Sequence, residues 1–134
     1  MAVDMMMIFH AGAVDSSSVT SHDSGTNIDL CALPASSVSS IFAEEDFVYI
    51  YFKDAGRFEG GPVGSATEVI EQTRVRLTVG EGTEFTVVKN LAAAIVNRDR
   101  PALLFDAVNS SYSIRQVSGV QIVRTDKTHT IASD

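Results

Sequence analysis

The residues of this chain that could do chemistry are three histidines, one cysteine and a scatter of serines and acids. His10, His22 and His129 stand far apart, and none pairs with another His, a Cys or a carboxylate at a metal-ligand spacing such as HxxxH or CxxC. Each therefore reads as a surface or rim residue. His22-Asp23 lies in a Ser-rich loop, a poor place for a preorganised ligand set. No GxSxG elbow marks a serine nucleophile. A Ser/His/Asp set could still be assembled in space, because a triad is defined by geometry rather than by order in the chain. Cys31 sits in the apolar run ILE-ASP-LEU-CYS-ALA-LEU over 28–33, with no His near it in sequence. It reads as a small buried hydrophobe, and as the only cysteine it allows no internal disulfide.

Two glycine-rich segments invite a phosphate-binding reading, and both fail it. Residues 56–64 follow a strand pattern but lack the GxGxxG spacing and the Gly-Lys-Ser/Thr ending. A strand pattern rather than a helix follows, so a phosphate would meet no helix dipole. Gly80-Glu81-Gly82-Thr83 does open a helix, but Glu81 and Glu84 would repel an anion there. Asn109-Ser110-Ser111 matches the N-glycosylation pattern and suits a turn on backbone grounds. Glu44-Glu45-Asp46 lacks the ordered spacing of a calcium loop and reads as a solvated turn. The expectation is no enzyme, no cofactor and no metal.

Composition narrows the class further. The chain has 134 residues, 45% hydrophobic and 20% charged, which fits a single globular domain over 1–134. Folding at this length buries roughly two-thirds of the unfolded surface, enough for a core without staples. The net charge of −7, with basic residues scattered, opposes attraction to nucleic acid or to an anionic membrane. The start, MAVDMMMIFH, lacks the basic n-region of an export signal. No stretch approaches the ~20 apolar residues of a membrane span. The chain is expected to stay in the cytosol where it is made, or to join a particle assembled there.

Residues 5–14 predict a first strand buried on both faces, and 15–27 an exposed loop. A strand is expected over 28–33, with Pro34 marking an edge or bend. A continuation over 37–43 would point Val38 and Ile41 inward. FVYIYF over 47–52 is the strongest strand: every residue is aromatic or β-branched. Phe47, Tyr49 and Tyr51 share one face, and Val48, Ile50 and Phe52 the other. The tyrosine face suits a rim or interface, with rings buried and hydroxyls wet; it equally suits a core face whose hydroxyls find partners. Residues 54–66 read as a loop. Residues 67–79 alternate, with Val69, Thr73, Val75, Leu77 and Val79 on the buried face. Thr83 is placed to cap a helix over about 84–97 through its hydroxyl. The apolar face of that helix is Phe85, Val88, Leu91, Ala92 and Ile95, and Asn97 and Pro101 supply the stop. Strands are expected over 102–108, 112–117 and 119–125. The ends read as an N-terminal arm over 1–27 and a polar C-terminal tail over 126–134. The fold class is α+β, mostly antiparallel strands with one principal helix packed on a sheet.

The order of these patterns resembles a known group. A strand ending VYIYFKD, a strand reading RVRLTVGEGTE, a helix with LAAAI, then LLFDAV and VSGVQIVRT are similar to small virion structural proteins of tailed phages, especially cyanobacterial and other marine phages. The similarity spans roughly residues 28–125. It implies a capsid decoration or cement protein, acting as a homo-oligomer (a trimer favoured) on the major capsid protein or other virion proteins. It implies a location in the virion, assembled in the host cytoplasm, and no catalytic residues. A tail or neck adaptor is the alternative within the virion. A small-ligand-binding domain or hydrolase, with a site at 15–27 and 54–66, is the alternative outside it. The expected contact residues are Met5, Met6, Met7 and Phe9 of the N-terminal segment, Phe47, Tyr49 and Tyr51 of the central strand, and Arg57 and Phe58 of the glycine-rich loop.

Overall fold

Alternating apolar and polar residues, with one amphipathic segment near the middle, produce two sheets and a helix around a shared core. The computed structural model describes residues 4–12, 26–53, 57–59, 67–98 and 100–130; the side chains of 26, 57–59, 67–71 and 126–130 are outside the description. The expected α+β class holds. The elements are β1 (Met6–His10), β2 (Thr26–Ile28), β3 (Leu30–Pro34), a 3-10 turn (Ala35–Ser37), β4 (Val38–Glu44), β5 (Phe47–Lys53), β6 (Arg57–Glu59), β7 (Thr67–Val79), α1 (Glu84–Asn97), β8 (Ala102–Asp106), β9 (Ser111–Tyr112) and β10 (Val117–Thr130). One sheet runs β3-β1-β8-β9, with β1 and β8 parallel. The other runs β2-β10-β7-β5-β4, all antiparallel, with β6 also on β7.

The period-2 pattern builds the core directly. Val48, Ile50 and Phe52 of β5 are buried, as are Thr73, Val75, Leu77 and Val79 of β7 and Ile122 of β10. Register places Ile41, Ile50, Val75 and Ile122 in one row across four strands. The four-stranded sheet supplies Met7 and Phe9 opposite Leu103 and Phe105. Phe9 joins the sheets: its ring stacks on Phe105 at 5.3 Å and meets Phe52 edge-on at 5.7 Å. Such pairs add about 0.5–1.5 kcal/mol each beyond burial.

The first strand is therefore not an arm. β1 lies between β3 and β8, so its residues 6–10 are an inner strand. It is buried on one face; on the other, Ile8 is half-exposed and Met6 is 36% exposed. The strand expected over 28–33 is broken at Asp29, so that β2 joins one sheet and β3 the other. Residues 57–59, expected within a loop, pair with β7. The strand expected over 102–108 stops at Asp106, and that over 112–117 shrinks to β9 followed by bends and turns. Residues 126–130, expected as the start of a polar tail, continue β10 against β7.

Helix α1 has the expected limits but a different inner face. Val87 and Leu91 are buried and Val88, Ala94 and Ile95 half-buried, while Phe85 is 79% exposed and Ala92 exposed. The two candidate faces share Val88, Leu91 and Ile95, so spacing alone does not separate them. Phe85 lies about 200° around the helix from Val87 at roughly 100° per residue, so burying one exposes the other. The cap differs too. The Thr83 hydroxyl donates back to the Gly80 carbonyl (2.6 Å) instead of accepting a helix N–H. Glu84 of the first turn accepts the backbone N–H of Asp46 (2.9 Å), tying the helix start to the β4–β5 turn. The helix ends at Arg98, which is left-handed (φ 49°) and donates its N–H to Ala94.

Candidate functional site

Because Val48, Ile50 and Phe52 fill the core, Phe47, Tyr49 and Tyr51 must face outward, and all three are half-buried there. The same alternation turns Arg74 and Arg76 of β7 outward beside them. Register sets Tyr49 opposite Arg76 and Tyr51 opposite Arg74, with Phe42 of β4 on the far side of Tyr49. The contacts run diagonally. The Arg76 guanidinium lies 4.6 Å from the centre of the Phe47 ring, and that of Arg74 5.7 Å from Tyr49. Phe42 meets Tyr51 edge-on at 5.7 Å. Phe42 itself is 57% exposed. The result is an aromatic–arginine ladder across three strands. Two shallow clefts, of about 340 and 210 Å³, share Tyr51 and Arg74 and so form one surface. It offers flat apolar area, held guanidinium groups and phenolic hydroxyls, which suit binding.

A second polar cluster arises from the parallel register of β1 and β8, which sets His10 opposite Asp106. His10 Nδ1 lies 3.0 Å from Asp106 Oδ1. That oxygen also accepts the backbone N–H groups of Val108 (3.0 Å) and Asn109 (3.1 Å), and Oδ2 accepts the Asn109 amide (2.8 Å). These bonds, led by the Asn109 amide and joined by the charge of His10, hold the Asp106 carboxyl below the ordinary aspartate range. Burial pushes the Tyr112 hydroxyl up, and the charge of Asp106 adds to the effect. A His–Asp pair is two of a triad's three members, yet His10 has no further side-chain partner among the described residues. The carboxylate is spent on the 106–110 turn, which makes it a clamp on backbone geometry. Cys31, paired opposite Phe9, is half-buried at the margin of the core.

The structure separates the nine expected contact residues into three groups. Phe47, Tyr49 and Tyr51 come together on the ladder. Met5, Met7 and Phe9 are buried in the core and cannot meet a partner; only Met6 of that segment reaches the surface, on the outer face of the four-stranded sheet. Arg57 and Phe58 have side chains outside the description, and of the loops 15–27 and 54–66 expected for a ligand or hydrolase site, residues 15–25, 54–56 and 60–66 lie outside the described residues. Sequence reasoning left out Phe42, Arg74 and Arg76. Their signal was present, since both arginines fall on the wet face of 67–79, but only strand pairing puts them on the tyrosines. Among the described residues no group of three or more metal-binding side chains converges, and no helix is long and apolar enough to cross a membrane. No protein-family model, curated protein or solved structure matches the chain.

Proposed function

We propose that this chain is an assembly protein that works through protein–protein contacts, as a virion structural protein of the capsid cement or decoration type. The observation that carries the contact role is the aromatic–arginine ladder. Tyrosine, phenylalanine and arginine are the residues enriched where proteins meet, and here they lie side by side on one half-exposed sheet face. The placement in a virion rests on the similarity of residues 28–125 to small tailed-phage proteins. In this reading the partners are the major capsid protein and further copies of the chain, with a trimer favoured, as the same similarity implies. Light scattering on the purified protein and co-sedimentation with capsids test it. Self-association together with capsid binding is the expected result. A strictly monomeric protein that ignores capsids overturns the reading, and label confined to a single vertex of the particle would move the protein to the neck or tail.

A further inference from the structure

We infer that the cleft beside the C-terminal half of α1 receives the acidic β4–β5 turn region of a second copy, so that copies join head to tail. The cleft, of about 510 Å³, has the buried side chains of Leu103 and Ile114 in its floor. Arg100 and Arg115 stand exposed on its walls with Asn97. Neither arginine forms an ion pair with a described residue. Two open guanidinium groups over an apolar floor, with an amide donor beside them, fit a carboxylate-bearing partner.

The chain carries the complement itself. Glu44 and Glu45 of the β4–β5 turn, with Glu81 and Glu84 at the start of α1, line a shallow depression of about 460 Å³. Glu84 is committed to the Asp46 N–H, which fixes this corner, while Glu45 and Glu81 are exposed and unpaired among the described residues. A copy cannot fill its own cleft. The acids sit at the first residues of α1 and the cleft uses residues 90–97, and the full helix of 14 residues spans roughly 20 Å. The contact therefore runs between molecules. It joins two different patches, which is a heterologous interface, and such an interface closes into a ring when the rotation permits. Local attraction of this kind also gives a chain of net charge −7 a way to approach itself.

This inference rests on the self-assembly part of the proposed function, and charge reversal separates the two. R100E/R115E and E45R/E81R each leave the tyrosine ladder untouched. Each is expected to weaken self-association by about tenfold or more at low salt, as read by sedimentation velocity, with circular dichroism unchanged. The chain carrying all four substitutions should regain association, because each reversed patch again meets its opposite. Added salt should weaken the wild-type contact. If either reversal fails to fold, R100Q/R115Q and E45Q/E81Q remove the charges without inverting them. A wild-type oligomer indifferent to both pairs overturns the head-to-tail contact and leaves self-assembly standing. A wild-type monomer at every concentration overturns both; inorganic phosphate bound by that monomer and lost in R100E/R115E would assign the cleft to a small anion instead.

Discussion

Replacing Phe9 with alanine tests whether the two sheets share one core. Its ring is buried, stacked on Phe105 at 5.3 Å from one sheet and edge-on to Phe52 at 5.7 Å from the other. A Phe→Ala change in a core costs about 3–5 kcal/mol, because transfer free energy is lost and a cavity remains. Two ring pairs vanish with it, which places the change near the upper end. At roughly 0.05–0.15 kcal/mol per residue, a chain of 134 residues has about 7–20 kcal/mol in total. The loss is thus a large share of the whole. With a urea slope of about 2 kcal/mol per molar, the unfolding midpoint should fall by roughly 2 M at unchanged slope. Phe42→Ala is the control. That ring is 57% exposed and, among the described residues, pairs with the ring of Tyr51 alone, so its removal should cost no more than about 1 kcal/mol while weakening assembly. A Phe9→Ala midpoint close to wild type would refute the shared core. A Phe42→Ala loss as large as that of Phe9→Ala would mean that the ladder is an interior and not a docking face.

Other substitutions read the remaining geometry. Val87→Ala should lose about 1–3 kcal/mol in urea titration, and Phe85→Ala less than about 0.5 kcal/mol, because only Val87 faces the core; the reverse order would rotate the helix. Gly12→Ala should destabilise by about 1–2 kcal/mol from backbone strain alone, since Gly12 has φ 87° and an added Cβ would lie 2.9 Å from the Val108 side chain; a thermal midpoint at or above wild type contradicts that conformation. Asp106 has a folded-state pKa below its ordinary 3.8. Its hydrogen bonds therefore stabilise the fold fully above that value and are lost as pH falls through the depressed one. Asp106→Asn should flatten the acid limb of stability below about pH 4, while a limb identical to wild type would show that the carboxylate does not hold the turn.

Much of the fold is legible because period 2 and period 3.6 are direct readouts of burial. β7 and α1 have the limits that TEVIEQTRVRLTV and EFTVVKNLAAAIVN predict, and β5 runs one residue past FVYIYF, to Lys53. What the pattern cannot carry is pairing. Asp29 splits one apolar run between two sheets, and nothing local distinguishes a polar residue within a strand from one at a crossing between sheets. The helix face failed for a related reason: Phe85 is the larger hydrophobe, but the bond from Asp46 to Glu84 fixes the first turn with Val87 inward. MMIFH is as apolar as a docking arm would be, and only its neighbours β3 and β8 make it core. DKTHT reads as polar tail because its residues lack apolar alternation, yet its backbone pairs with β7 all the same. The candidate site was half visible for the same reason. The tyrosines announce themselves in one strand; the arginines matter only once a second strand is laid beside it.

That pairing also bears on how the ladder would bind. An arginine arriving at an interface from free solution must give up rotamer freedom and water together. Arg76 and Arg74 already lie against Phe47 and Tyr49, so part of that ordering is complete before a partner arrives. The rings also cover one face of each guanidinium, and a planar, weakly hydrated cation loses less on desolvation than an ammonium would. Lysine in the same place would keep the charge and lose both advantages. Among the described residues, Glu44 is the only acid lining the two clefts of the ladder, so little of the chain's excess of acid opposes this surface directly. Among the described residues the ladder is thus a preorganised patch with few acids on an acidic protein. The two surfaces adjoin at Ala43 and Glu44, which line both the ladder cleft and the acidic depression; under the proposed assembly role, one would meet a foreign partner and the other a copy of the same chain.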